Sequence, residues 1–526
     1  MDPPRTKFWT CAGAIFCALL FIICAIIVHA RTGILAFNSD DSYIYTGYVK
    51  MAFTPGAGPF SYNVGEHSAG TTGILFYYVL LAGYRLLTIA LPKSPATLVL
   101  NTWIISGICF TLTGAVMSGA VAGVCNRLKI TSRVMIGSVI LLALMLMCAS
   151  ENFLWGQMGG MENPLSALIV TSLAALACQS SGIGLRRAQS SRGLPMSCAM
   201  KHGRAAHATK ILLPSMLAAG LAGTRPDFFP IAVLVPAVTL FQKSLPMANR
   251  LRATIAGYCL FAAILALVFL PLRLTTGQWQ PSALGARVEL HWLNSPSALL
   301  NSLNQNFNNN WGRALAGSWL AAIIFYRKTR QQPGIFLIPL GITLFLGVRA
   351  VAGLDNFNVH DRYVSYLWPA MTLTYVLAAV ALLQNALGTA GSAKVAAIAP
   401  ASSMIIAVGV VMLAIIPAIH EIAQDTEEML QVHVRPSQWM AVHLPPGAVV
   451  AMEPAGALRT YTDFTLVDRT GLTTPHYQRY IAATGRKPED AMGDFLRASR
   501  VQYLFDYPRQ ALFEANPGTF EVLKTW

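Results

Sequence analysis

The chain has 526 residues, of which 54% are hydrophobic and only 12% charged. Soluble globular chains carry about 25% charged residues, so the composition excludes an ordinary soluble fold. The formal net charge is +15, and beside long apolar runs that excess reads as the Lys/Arg bias of cytoplasmic loops, not as a nucleic-acid surface.

The first apolar run, Phe8–His29, follows a positively charged start. It is long enough to span a bilayer, which takes about 20 residues, and no clear small-residue cleavage site follows. It predicts a retained first helix with a cytoplasmic N-terminus rather than a signal peptide. Next comes FNSDDSYIYTGYVK, residues 37–50, with Asp40 and Asp41 side by side where the helix should emerge into water. Alone, the pair suits a capped helix start, because Asn, Ser and Asp are good caps and carboxylates complement the helix dipole.

Further apolar segments cover Thr72–Leu91, Thr97–Val124, Met135–Cys148, Pro164–Cys178, Ile211–Ala222, Phe228–Phe241, Ala253–Leu270, Ala314–Tyr326, Gly334–Val351, Tyr363–Leu383 and Ser402–Ile419. Basic clusters separate some of them, at Arg127/Lys129/Arg133, Arg186–Lys210, Lys243/Arg250/Arg252 and Arg327/Lys328/Arg330. If every segment crossed, these clusters and the N-terminus could not share one side. They can if Thr72–Leu91 does not cross, which leaves about eleven transmembrane helices. Thr72–Leu91 is then an interfacial helix of the first external loop. The first loop, residues 151–163, the 273–313 and 352–362 loops and the whole C-terminus would then face outward.

The nine cysteines show no CxxC and lie mostly in apolar runs, as small buried hydrophobes do. After Ile419 the character changes. Strand-like runs start at Ala448, Phe464 and Val501, with a helical stretch from Pro488 between them. This predicts a small α/β domain over 420–526 behind a membrane module over 1–419. Tyr480, Tyr503 and Trp526 are either core aromatics there or stacking platforms for a sugar.

Carboxylates and arginines near the hydrocarbon boundary are expensive and tend to mark function. Asp40, Asp41 and Glu162 stand in outward loops, with Arg225 in GTRPDFF and His360, Asp361 and Arg362 in DNFNVHDRY. A carboxylate can deprotonate a hydroxyl, and guanidinium matches phosphate geometry. Such a set suits sugar transfer from a polyprenyl-phosphate carrier.

These residues fall in an order that resembles the type C glycosyltransferases (GT-C), in the branch of the mycobacterial terminal arabinofuranosyltransferase. The DD-x-Y-I pattern is matched by Asp40, Asp41, Tyr43 and Ile44. An N-P-G-E-x-x-x-G-T-T segment is matched by Asn63, Gly65, Glu66, Gly70, Thr71 and Thr72. G-M-E falls at Gly160–Glu162 and R-P-D at Arg225–Asp227. G-x-x-x-P falls at Gly277 and Pro281, R-Y at Arg362 and Tyr363, and D-x-x-G-L at Asp468, Gly471 and Leu472. The resemblance implies a helical bundle with juxtamembrane helices in the first loop. It also implies Asp40 as catalytic base with Asp41 its neighbour, and Glu162 as second acid or metal ligand. Arg225 and Arg362 would bind the lipid phosphate. Tyr43, Asn63, Glu66, Thr71 and His360 would line the substrate site.

Three positions depart from the pattern. Gly47 stands where many members have arginine, with Lys50 one turn on as the replacement phosphate ligand. Val64 replaces the proline of N-P-G-E, and Gln280-Pro281-Ser282 replaces L-P-N. The expected partners are a polyprenyl-phosphate sugar, a glycan or glycolipid acceptor and membrane lipid, with no nucleic acid. The sequence makes no cofactor certain and leaves a divalent metal open. The expected place is the cytoplasmic membrane with an extracytoplasmic active site. The rival reading is a transporter or lipid-linked-sugar flippase, which would place charges mid-helix and carry internal repeats; the chain has few such charges and no evident repeat.

Overall fold

The computed structural model describes residues 3–130, 132–179, 212–241, 246–281, 296–329, 333–352, 359–389, most of 402–453, 455–474, most of 479–505, and 523–525. The largest basic cluster, the loop from 282 to 295 and Trp526 lie outside the described residues.

Helix α1 (Pro3–Thr32) carries the first apolar run. It lies against α4 (Pro95–Arg127), where Gly13 and Gly114 let the backbones approach. A Cβ at Gly13 would meet Ser118 and the Gly114 carbonyl, and one at Gly114 would meet Cys17. Small residues at a crossing are how apolar helices associate where no hydrophobic drive separates helix from lipid. Between these two lies the first loop. It contains α2 (Asp40–Ala52), a hairpin of β1 (Ser61–Asn63) and β2 (Glu66–His67), and α3 (Ile74–Leu87). At 14 residues, α3 is about 21 Å long, well short of the ~30 Å hydrocarbon core.

Then follow α5 (Arg133–Cys148), α6 (Glu151–Met158) and α7 (Asn163–Gln179). The caps come from the sequence: Ser94, Ser132 and Ser150 accept from the Thr97, Met135 and Phe153 N–H groups, satisfying otherwise orphaned donors. α5 and α6 meet at 76°. Next are α8 (Leu212–Thr224), α9 (Met247–Thr276), α10 (Pro296–Phe307), α11 (Asn310–Thr329), α12 (Leu337–Val351) and α13 (Trp368–Thr389).

Among the described residues five helices are long and apolar enough to cross a membrane, or six if α5 and α6 count as one bent span. Of the other apolar runs, several fold as shorter helices, of 10–17 residues, or are broken near Pro226, and Ser402–Ile419 lies partly outside the described residues. The chain is a multi-pass α-helical membrane protein. Among the described residues no cysteines are joined in a disulfide.

The last part begins within a helical stretch, α14 (Ile416–Met429) running on through a π turn into α15 (Arg435–His443). The expected boundary at 419/420 falls inside α14. Beyond it stand β3 (Val449–Met452), α16 (Ala455–Tyr461), β4 (Thr465–Asp468), α17 (Pro488–Ala498) and β5 (Tyr503–Phe505). The sheet is parallel in order β4-β3-β5, with Val450 opposite Leu466 and Tyr503. Each strand lies within a run that the sequence marks as strand-like. Tyr480 packs against Phe495, 5.6 Å between ring centroids, and Tyr503 packs on a cluster that includes Val450 and Leu466. Both are core aromatics.

Candidate active site

Ser39 starts α2 in extended conformation, and Asp40 and Asp41 occupy its first turn. Consecutive helical residues are about 100° apart, so the two carboxylates diverge. Asp40 turns to α16, where its two oxygens accept from the Gly456 and Ala457 N–H groups at 3.0 Å each. It caps a helix, but one more than 400 positions away in the chain. Gly456 permits the approach, since a Cβ there would lie 2.2 Å from the Asp40 carbonyl oxygen.

Asp41 instead lines a pocket with Tyr45, Thr71, Thr72, Glu162, Tyr363 and Leu472. Its Oδ2 is 2.8 Å from Arg362 Nη2. Arg362 also donates to the Tyr363 hydroxyl at 2.9 Å and approaches the Ser39 hydroxyl at 3.4 Å. Burial works against the charge on Arg362, but Asp41, Tyr363 and Glu162 outweigh it and hold its pKa above the usual value.

Glu162 opens α7 and is buried at the pocket wall. It accepts from Tyr45 at 2.8 Å, from Thr72 at 3.3 Å and from Arg225 at 3.0 Å. Arg225 also holds Asp227 at 2.9 Å, and Asp227 takes a second cation, Arg349, at 2.5 Å. Both arginines lie over the Tyr363 ring. Charges this deep persist only when paired and hydrogen-bonded. Gly73 closes the wall: a Cβ there would meet the Tyr45 hydroxyl at 2.6 Å and the Glu162 Cβ at 2.9 Å.

The other expected site residues go elsewhere. Arg225 is committed to Glu162 and Asp227, so it is no open phosphate ligand. Lys50 donates to the Arg459 and Thr462 carbonyls and pairs with Asp463 at 2.8 Å. The Asn63 amide is saturated: it bonds both backbone groups of Leu466, takes Arg459 at 2.7 Å and donates to Glu66 at 2.6 Å. Asn63 therefore staples the hairpin to β4, and Glu66 helps fix it. Tyr43 is fully buried, accepts from the Phe37 N–H and packs on Phe37. His360 faces Asp425 at 2.9 Å, away from the pocket lining. Only Asp41, Glu162 and Thr71 of the expected set line the pocket itself, with Arg362 bonded to one of them.

The departure at Gly47 has a steric counterpart. A Cβ there would lie 2.8 Å from Arg459 Cγ, so an arginine of the C-terminal part packs where a side chain of α2 would be. Burial pulls the Arg459 pKa down to about 10. The D-x-x-G-L segment also has a local role. Asp468 accepts from the Thr470 and Thr473 N–H groups and hydroxyls, fixing the turn that presents Leu472 to the pocket. The Leu472 carbonyl would lie 2.7 Å from a Cβ on Gly70.

Tyr45, Arg349 and Leu472 were missed by sequence reasoning. Tyr45 stands four positions after Asp41, on the same helix face. Arg349 sits inside an apolar run, which is a signal in itself. Leu472 had only its place in a motif.

No curated protein matches the sequence. A family model described only as a domain of unknown function, DUF8728, matches residues 420–526. Among solved structures, the apo oligosaccharyltransferase of Archaeoglobus fulgidus aligns with TM-score 0.50 and 12% identity, over 88% of this chain and 65% of that one. The chain thus spans under two thirds of that enzyme. ArnT of Cupriavidus metallidurans, solved with undecaprenyl phosphate, aligns with TM-score 0.49 and 10% identity over 96% of each chain. At these identities the likeness concerns the fold alone, a multi-helix membrane fold shared with that oligosaccharyltransferase.

Proposed function

We propose that the chain transfers a sugar from a polyprenyl-phosphate donor to a hydroxyl of a cell-envelope glycan or glycolipid, at the outer face of the cytoplasmic membrane. The motif order favours an arabinofuranosyl donor. The observation that carries the reading is Asp41: a half-open carboxylate in a pocket, bonded to a buried arginine. The groups around it, Asp41, Glu162, Arg225 and Arg362, all stand at or beside helix ends, which suits a surface reaction better than a transport path through the bundle.

Asp41 is the base in this mechanism, in place of Asp40. The donor phosphate competes with Asp41 for Arg362, and its binding frees the Asp41 Oδ2. The acceptor hydroxyl then gives its proton to that carboxylate as its oxygen bonds the anomeric carbon and the carbon–oxygen bond to phosphate breaks. Polyprenyl monophosphate leaves with the bonding electrons, held by Arg362. Stabilising the developing phosphate charge and accepting the proton both act in the transition state, where they raise the rate. Glu162, locked by Tyr45, Thr72 and Arg225, shapes the wall and orients the acceptor. Leu472 and the Thr470–Thr474 turn would bring the region 420–526 to the acceptor side of the pocket. Residues 1–419 and 420–526 serve here as two cooperating modules.

The test is mass spectrometry of envelope glycans from a strain lacking the gene, complemented with the wild-type chain or with Asp41→Asn at equal expression. Loss of one sugar residue with Asp41→Asn alone is expected. Unchanged glycans with that variant would contradict the reading.

A further inference from the structure

Glu151 in the first turn of α6, His360 in the turn Val359–Asp361, and Glu421 on α14 come together from three distant parts of the chain. One imidazole nitrogen and one oxygen of each carboxylate all lie within 4.8 Å of one another. His360 Nδ1 is 3.4 Å from Glu151 Oε1 and 3.9 Å from Glu421 Oε1. Its other nitrogen, Nε2, lies 2.9 Å from Asp425 Oδ2. Asp425 is fixed in turn by the Trp155 indole N–H at 2.8 Å, and the Trp155 ring stacks on the imidazole at 4.7 Å between centroids.

With Nε2–H given to Asp425, the Nδ1 lone pair faces two carboxylates. Three donor atoms converge, and positive charge among them, from a proton or from a metal ion, favours the arrangement. A carboxylate accepting the other ring N–H, as Asp425 does here, is also the usual second partner of a metal-bound histidine. One nitrogen and two carboxylate oxygens form a donor set for zinc, with a fourth position left for water. Metal–ligand distances of about 2.1 Å place tetrahedral ligand atoms roughly 3.4 Å apart. The observed spacing closes to that by small rotations of Glu151 and Glu421, whose side chains are 44% and 41% exposed. The same exposure lets an ion enter from solvent.

We propose that Glu151, His360 and Glu421 form a divalent-cation site of zinc type, with Asp425 orienting the histidine. The ion ties α6, the 359–361 turn and α14 together. His360 lies two residues before Arg362, the arginine bonded to Asp41, so a bound ion fixes the turn that presents Arg362 to the pocket. The site stands independently of the sugar-transfer reading, because its readout is metal binding.

The experiment uses the full chain, purified in detergent and stripped with a chelator, titrated with zinc chloride by calorimetry and followed by metal analysis and thermal unfolding. One tight equivalent and a raised Tm are expected. Affinity should tighten as pH rises, since zinc displaces the imidazole proton. Asp425→Asn should weaken binding about 10–100-fold, and Glu421→Gln, on a half-exposed side chain that leaves the fold intact, by at least as much. Absence of saturable zinc binding, or equal affinity in the wild type and Glu421→Gln, would overturn the proposal. Manganese binding at the same stoichiometry, lost in Glu421→Gln, would support a divalent site and reassign its ion.

Discussion

The side of α2 carrying Asp40, Gly47 and Lys50 meets α16 and its flanks, and both charged groups of α2 there are held: Asp40 by two backbone N–H groups, Lys50 by two carbonyls and Asp463. The side carrying Asp41 and Tyr45 meets α7, the Tyr363 region and a pocket. There Asp41 keeps 29% of its side-chain surface open. The same residue type in adjacent positions thus builds a joint in one place and a reaction site in the other. What separates them is whether fixed donors saturate the carboxylate. A saturated carboxylate stabilises; one held by a single displaceable cation can react.

The comparison can be broken first at the pocket's buried ion network. Arg225→Met would strand Glu162 and Asp227 in the protein interior. Removing one partner of a buried pair costs about 3–5 kcal/mol, so the variant should lose most of its folded yield in detergent. A normal Tm would show that the network is not a unit. On the joint side, Gly456→Ala drives a Cβ into the Asp40 backbone, and a forced overlap of that kind costs about 1–3 kcal/mol. Unfolding by denaturant should register that loss, and an unshifted midpoint would mean that α16 is free to move off α2.

Asp40→Ala sharpens the same contrast at a smaller scale. Loss of a cap costs about 1 kcal/mol, read as a lowered Tm with catalysis per folded molecule retained. Smallest is Asp463→Asn. The Asp463 side chain is 86% exposed, and exposed pairs contribute about 0–1 kcal/mol. The Lys50 hydrogen bond holds the Asp463 carboxyl below its usual 3.8. Its contribution is therefore present above pH 3.8 and fades as pH falls through the lowered value. Asp463→Asn should lower stability at neutral pH by at most about 1 kcal/mol and leave the acid end, where the carboxyl is already protonated, unchanged.

Local signals were legible in the sequence. The three strand-like runs after Ile419 and the helix from Pro488 fall where period and propensity put them. The segment from Thr72 folds as a helix, the 14-residue α3. The loops carrying Asp41, Glu162 and Arg362 do converge. Which carboxylate would face the pocket was not legible, because Gly456 and Ala457 decide it from the far end of the chain. The same holds for Asn63 and Lys50, whose polar atoms are consumed by β4 and α16. A motif marks where a residue is needed and does not say whether it is needed for contact with substrate or for holding two parts of the chain together. Arg225 shows the cost of that ambiguity: its type suits phosphate, yet its neighbours Glu162 and Asp227 claim it.

The most direct measurement pairs Asp40→Asn with Asp41→Asn in one sugar-transfer assay at matched folded protein, with Tm recorded for both. The account predicts that Asp41→Asn loses at least about 100-fold in rate with Tm unchanged, while Asp40→Asn keeps its rate and loses Tm. The reverse pattern, with the rate lost at Asp40 and kept at Asp41, would contradict it.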